Sequence, residues 1–339
     1  MSSNAKTWIK IAIPVAIGIA VAILLFHNDF NADALRDVDF DSRAWWGLGL
    51  ALLCVVGRET GMAWRYRTLS GKRLSWRSSI RVTMLCEFTS CITPTSVGGS
   101  AASAIFMTRN GLTAGRSTAI MLTTLFLDEL FITLIVPLTF ILIPYKELFG
   151  FGNEPLAHDL QLGFWLVYGI LAAWSIVLWI GLFVAPSSIK NLLVKIFSLP
   201  IIKRWKPSVE EAGDDIITTA RELRSCSFRI WLKSFGATAL SWLSRFLTVN
   251  ALLWGFAAGA DQILALGRQI AVWVLLMFTP TPGGSGMSEW IFTKYYGDII
   301  TSAATIMIIA LLWRILTYYL YLIIGITLIT SLSKKHKKI

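Results

Sequence analysis

Charge is scarce in this chain. Asp, Glu, Lys and Arg make up 15% of its 339 residues against 55% hydrophobic ones, and the mean hydropathy is +0.64. A soluble domain of this length carries far more charge, so the composition excludes one and points to a polytopic membrane protein. Histidine is nearly missing as well: His27, His158 and His336 are the three present, all in predicted loops or the tail. That removes the commonest metal ligand and the usual general base of serine hydrolases. Gly283-Gly284-Ser285-Gly286 matches the Gly-x-Ser-Gly pattern of intramembrane serine proteases, yet no histidine is placed to complete a dyad with it. No carboxylate spacing resembles a metal-dependent phosphatase, so neither metal nor cofactor is expected and an enzyme is disfavoured. A lipid transferase using Asp128, Glu129 or Glu289 as base stays open. The four cysteines are Cys54, Cys86 and Cys91 in apolar segments and Cys226 in a basic loop. That spacing fits neither a disulfide framework nor a zinc site. Acidic residues number 20 against 31 basic ones, a net charge of +11. The surplus lies in short loops between apolar runs, where it orients helices, so no nucleic-acid partner is expected.

Long apolar runs are what the chain does have. Those able to cross roughly 30 Å of hydrocarbon lie at about 8–26, 44–64, 117–143, 163–185, 231–258 and 300–331. The first follows Lys6 and Lys10 like a signal peptide, but it lacks a small-x-small cleavage site and is expected to remain as a helix. Two more apolar segments, 82–108 and 268–293, are interrupted by Pro and Gly. The loop at 27–43 is acidic, with Asp29, Asp33, Asp37, Asp39 and Asp41. The loops at 65–81, 109–116 and 186–230 and the tail at 334–338 are basic, which marks the cytoplasmic side and puts both termini there. Within 186–230, Ile189, Leu192, Leu193, Ile196 and Phe197 recur at helical spacing among Lys190 and Lys195. This suits either an amphipathic helix on anionic headgroups or a packed loop helix.

The interrupted segments are copies of one another. Thr93-Pro94-Thr95 recurs as Thr279-Pro280-Thr281, and Gly98 as Gly284, at a constant offset of 186. The register continues through Ile105/Ile291, Gly111/Gly297, Met121/Met307 and Leu125/Leu311. Three predicted crossings separate the copies, and an odd number inverts the second, giving an inverted-topology repeat. Repeat 1 covers about 44–143 and repeat 2 about 231–331, joined by the 163–185 span and the basic segment 186–230. The fold expected is all-α: one membrane domain over 1–339 with about six full spans and two broken re-entrant segments. Pro94, Pro280 and Pro282 lack an N–H, while Gly98, Gly99, Gly283, Gly284 and Gly286 permit positive φ and close approach. Such backbone cannot face lipid and must line a cavity or be buried in protein. The half-helices starting near Ser100 and Ser285 would aim free N–H groups at an anion such as a phosphate.

Charges inside the spans form a second constellation. Asp128 and Glu129 fall near the middle of 117–143, Arg245 in 231–258 and Arg314 in 300–331, with Glu87 and Glu289 inside the broken segments. Four such mid-span charges facing lipid would cost about 10–14 kcal/mol, so they must face the interior. Asp128 and Arg314 are equivalent at the offset of 186 and are expected to meet near the pseudo-symmetry axis. Arg58 lies toward one end of its span and is read as a snorkelling anchor.

Together, the Pro-x-x-x-Gly-Gly segment with Asp128 downstream, the run Thr279 to Gly286 with Glu289, and Arg314 with Tyr318, Tyr319 and Gly325 resemble a known family. It is the flippase-like transmembrane domain of lysylphosphatidylglycerol synthases, also called UPF0104, over about residues 44–331. Many members carry Gly-Glu followed by Arg where this chain has Gly98-Gly99-Ser100, and an Arg where Leu127 stands beside Asp128. The resemblance implies a stand-alone translocase in a bacterial inner membrane, without the soluble aminoacyl-transferase half, that moves a phosphate-bearing lipid between leaflets. Its partners would be a phospholipid or lipid-linked substrate and anionic headgroups at the cytoplasmic face. The site expected is Pro94, Gly98, Gly99, Asp128, Glu129, Arg245, Pro280, Pro282, Gly283, Gly284, Gly286, Glu289 and Arg314. A non-transporting scaffold for lipid or glycan synthesis is the competing class.

Overall fold

The computed structural model describes residues 40–93, 97–149, 154–196, 206–277, 279, 281, 283–284, 286–300 and 302–336. The expected first span at 8–26 and the prolines Pro94, Pro280 and Pro282 lie outside these residues. Among the described residues the fold is all-α, with no strand. The helices are α1 (Ser42–Leu69), α2 (Trp76–Ile92), α3 (Val97–Arg109), α4 (Ala114–Leu142), α5 (Tyr145–Phe149), α6 (Glu154–Trp179), α7 (Pro186–Ile196), α8 (Lys206–Arg224), α9 (Phe228–Phe256), α10 (Gln262–Leu276), α11 (Met287–Tyr296), α12 (Ala303–Arg314) and α13 (Leu320–His336). One π-turn, Ile180–Val184, extends α6, and another, Ile315–Tyr319, joins α12 to α13.

Local chemistry sets the ends. Asp41, Ser75, Thr113, Asp261 and Ser302 each accept a backbone N–H of the turn they precede, which satisfies donors a helix start leaves open. Inside α4, Pro137 has no N–H to offer the carbonyl of Thr133. The Tyr168 hydroxyl donates to that carbonyl at 3.0 Å, so α6 repairs the break and α4 continues.

Contacts at the two ends of the bundle fix the path. At one end, Arg67 donates to the carbonyl of Leu74 at 2.8 Å, Thr108 to Ser117 at 3.1 Å, and Arg116 pairs with Glu222 at 3.0 Å. The ends of α3 and α8 and the start of α4 therefore lie together, and the end of α1 joins them through Tyr66 and Leu69, which share an apolar cluster with Met107 and Leu112. At the other end Asn250 donates to the carbonyl of Gln262 at 2.7 Å, and Arg268 donates to those of Glu147 and Tyr295. Here α4 and α9 finish, α10 begins and α11 closes. So α2 begins and α3 closes at the first end, while α10 begins and α11 closes at the opposite end.

The long helices α1 and α9, which start 186 residues apart, cross through small residues. A Cβ on Gly47 would come within 2.6 Å of the Cα of Gly255, one on Gly57 within 2.7 Å of the Ser244 hydroxyl, and one on Gly61 within 2.7 Å of the Ala237 carbonyl. Backbones this close are the usual solution where lipid offers no hydrophobic drive between helices. Position 58 is equivalent to 244 and 59 to 245, so equivalent stretches of the two copies meet where Gly57 faces Ser244. The copies also interlock, because α2 packs Phe88 on Gly325 of α13 and α10 packs Gly267 on Thr139 and Ile143 of α4 and its end.

Three helical stretches, Ala114–Leu142, Ala157–Val184 and Ala303–Leu328, are long and apolar enough to cross a membrane by length and composition. Large apolar side chains such as Leu53, Ile141, Leu142, Leu166 and Trp174 stand exposed on the bundle, as a lipid-facing surface requires. Helices α7 and α8 pack on each other, with Lys190 on Asp214 at 2.6 Å, and α8 lies against Gly115 at the start of α4.

Candidate functional site

Among the described residues, three ion-paired clusters flank the interior cavities, apart from the pair that buried Arg268 makes with Asp298 at one end of the bundle. The central one sits where α1 and α9 cross. Arg58, 2% exposed, donates through Nη2 to Glu87 of α2 and through Nη1 to the Tyr321 hydroxyl at 3.1 Å. Tyr321 donates in turn to Glu59 Oε1 at 2.6 Å, and Arg245 of α9 reaches Glu87 Oε1 at 3.2 Å. Two arginines and two glutamates thus share one buried network. Arg58 lies over the Tyr321 ring at 4.8 Å and Arg245 over the Trp242 ring at 4.8 Å, which adds attraction on the face the carboxylates leave free.

The second cluster belongs to the first repeat. Arg65 grips Asp128 through both terminal nitrogens, Nη2 lying 3.0 Å from Oδ2, and also donates to Thr238 at 3.1 Å. Trp242 donates its indole N–H to the same carboxylate at 2.7 Å. The third belongs to the second repeat. Arg314 Nε lies 2.8 Å from Glu289 Oε1, and Nη1 donates to the carbonyl of Gly283 at 3.1 Å. Glu289 Oε2 accepts the Gly286 N–H at 2.8 Å and the Ser288 hydroxyl at 3.0 Å. The start of α11 therefore already holds an anion, its own carboxylate.

Two sequence expectations are corrected here. Asp128 and Arg314 do not pair with each other, because each has a partner in its own repeat, Arg65 and Glu289 respectively. Opposite charges at equivalent positions do share one cluster, but they are Glu59 and Arg245. Arg58 is not a snorkelling anchor: it is buried and bound to Glu87. The signal available was the spacing of Arg58, Met62 and Arg65, which places both arginines on one face of α1. Arg65 reads as part of the basic loop only because the helix continues to Leu69.

Two cavities open between these clusters. The larger, about 170 Å³, is lined by Arg58, Glu87, Arg245, Arg314, Gly283 and Gly284 together with Trp273 and Tyr318. The smaller, about 120 Å³, is lined by Arg65, Asp128, Glu129, Cys86 and Ser100. Glu87, Ser90, Arg245 and Trp273 line both, so the Glu87–Arg245 pair stands in the partition. Of the residues expected at a site, Asp128, Glu129, Arg245, Gly283, Gly284 and Arg314 meet at these cavities. Gly98, Gly99, Gly286 and Glu289 support the backbone beside them.

The glycines have separate tasks. Gly99 lets α3 approach α2, since a Cβ there would come within 2.6 Å of the Cys86 carbonyl, and the Cys86 thiol donates to the Gly99 carbonyl at 3.1 Å. Gly283, at φ +58°, has no room for a Cβ because the Tyr318 ring covers it. Tyr318 lies in the π-turn directly after Arg314, whose guanidinium is 4.4 Å from the ring centroid. The wider π-turn aims ring and guanidinium at the same wall.

Residues 11–325 match the family described as the lysylphosphatidylglycerol synthase TM region. The chain is also similar to a protein named UPF0104 membrane protein from Archaeoglobus fulgidus, with 23% identity over 324 residues that cover 92% of this chain and 94% of that one. With nearly its whole length matched, from before α1 into α13, the chain belongs to the lysylphosphatidylglycerol synthase transmembrane-region family.

Proposed function

We propose that this protein carries a phosphate-bearing lipid between the leaflets of a plasma membrane, the headgroup passing through the central cavities while the acyl chains stay in lipid. The observation behind the reading is the wall of the larger cavity, where three arginines, Arg58, Arg245 and Arg314, face one carboxylate, Glu87. When the cavity is empty, Glu87 and the acids behind the wall, Glu59 and Glu289, offset the arginines and avoid the cost of uncompensated charge. A phosphate offers Arg245 a bidentate partner in place of Glu87, so binding releases the pair in the partition. At about 170 Å³ the cavity holds several waters or a headgroup, not a whole lipid.

Helix pairs inserted from opposite ends favour a site that opens alternately to either face. In this reading α2–α3 dips in from the cytoplasm and α10–α11 from outside. The end bearing Arg67, Arg73, Arg77 and Arg116 is cytoplasmic, as are both termini. There α7 and α8 sit beside anionic headgroups. One observation favours a scaffold instead: the interior arginines are already matched with carboxylates, as a rigid accessory protein would need.

Reconstitution separates the two. Vesicles carrying the protein should exchange fluorescent phosphatidylglycerol or a lipid-linked sugar between leaflets. Replacing Arg245 with Gln should slow that exchange about 10- to 100-fold, the worth of one lost charge-assisted contact. Exchange no faster than in empty vesicles for every lipid tried would favour the scaffold.

A further inference from the structure

Among the described residues around the two cavities, the carboxylates outnumber the cations that pair with them. Arg65 holds Asp128, Arg314 holds Glu289, and Arg58 and Arg245 are shared by Glu59 and Glu87. Glu129 is left over. It is 3% exposed, lines the smaller cavity, and its Oε2 is buried with no hydrogen-bond partner.

Among the described residues, its surroundings offer no ready cation. From α1 comes Arg65, committed to Asp128 and Thr238. From α2 come Cys86, whose thiol donates to the Gly99 carbonyl, and Glu87, bound to both central arginines. The neighbour Asp128 adds a like charge. From α3 comes Ser100, from α10 Trp273 and from the residue after it Met277, and Tyr168 of α6 is bound to the carbonyl of Thr133, one turn along α4 from Glu129. Arg245 alone is a cation on this cavity that a single event, loss of its bond to Glu87, would free.

We propose that Glu129 is a proton-binding site that couples lipid movement to the proton gradient, an inference resting on the translocation reading above. A carboxylate oxygen of Glu129 takes a proton from the face to which the cavity is open. When a headgroup separates Arg245 from Glu87 and the cavity reorients, the approaching guanidinium replaces that proton, which leaves to the other face. One O–H bond forms and the same bond breaks. Intramembrane carboxylates serve proton relays in this way.

Two measurements on the full chain test it. In nanodiscs of phosphatidylethanolamine and phosphatidylglycerol at neutral pH, the infrared difference spectrum of wild type minus Glu129→Gln, in which the lipid ester carbonyls and the other buried acid with an unpartnered oxygen, Glu59, cancel, should show the carbonyl stretch of a protonated carboxylic acid. Glu289→Gln should give no such difference band. A wild-type minus Glu129→Gln spectrum without the band overturns the proposal. In vesicles of the same lipids, a pH step of about one unit should speed exchange of fluorescent phosphatidylglycerol about tenfold, the ratio of proton activities. In Glu129→Gln the rate should be the same with and without the step. Wild-type exchange that ignores the step overturns the coupling and leaves translocation standing. No exchange at all overturns both, whatever the infrared band shows.

Discussion

The two broken helix pairs share a plan and differ in where they carry charge. In each, a threonine closes the first helix and turns its hydroxyl back on it, Thr93 to the Thr89 carbonyl at 2.8 Å and Thr279 to the Leu276 carbonyl at 2.7 Å. In each, the glycine five residues later packs against that threonine. The first pair carries its carboxylate on the incoming helix, Glu87, whose equivalent in the second is Trp273. The second carries its carboxylate on the outgoing helix, Glu289, whose equivalent in the first is Ser103. Duplication has kept the backbone and redistributed the ions. Glu87 reaches the crossing point of the repeats and binds arginines from two helices, while Glu289 ties α11 to α12 inside one repeat.

That difference predicts unequal consequences. Glu87→Ala leaves Arg58 and Arg245 in the interior without their shared anion, and removing one member of a buried ion pair costs about 3–5 kcal/mol. The variant should melt far below the wild type by size-exclusion fluorescence in detergent, or fail to accumulate. For Glu289 the expected loss is smaller and local. A double-mutant cycle of Glu289→Gln with Arg314→Gln should return a coupling of about 0.5–3 kcal/mol, the range of residues in one network. A coupling near zero there, or a Glu87→Ala variant as stable as the wild type, would erase the distinction between a hub that joins the repeats and a tie within one.

Periodicity was enough to read the helices and the break points, because each depends on local composition. The expected spans at 44–64, 117–143, 163–185, 231–258 and 300–331 all fall on long helices of the structure. Pairing was less legible. The offset of 186 relates Asp128 to Arg314, but equivalence in sequence says only that two positions share an environment, not that they touch. Contact across a pseudo-two-fold occurs where the equivalent helices cross, and that point depends on where glycines let α1 and α9 approach. Arg58 and Glu59 sit at that point. Arg58 reads as peripheral in the sequence because the helix extends past the apolar run that marks the span. Helices α1 and α9, which carry interior charges, are absent from the stretches apolar enough to qualify as spans.

The smallest effect concerns the paired glycines themselves. Gly98 lies within α3, and what a Cβ there would strike is the side chain of Thr93. Gly284 has φ +68°, a conformation that costs an L-residue roughly 1–2 kcal/mol whatever surrounds it, while its nearest neighbour, the Thr279 hydroxyl, stands at an ordinary 3.4 Å. Gly98→Ala and Gly284→Ala should therefore lose similar stability for different reasons. Trimming the threonine tells them apart. Thr93→Ala would not suffice, because the Thr93 Cβ itself stands 2.6 Å from the added methyl. Adding Thr93→Gly should restore most of what Gly98→Ala loses, measured against Thr93→Gly alone, since the obstacle is removed. Adding Thr279→Gly should restore nothing to Gly284→Ala, whose cost lies in its own backbone. Thermal melts of the four variants and the two threonine controls measure this directly. Equal rescue in both copies would mean that the two breaks are built alike after all, leaving the distribution of charge as the sole divergence between the repeats.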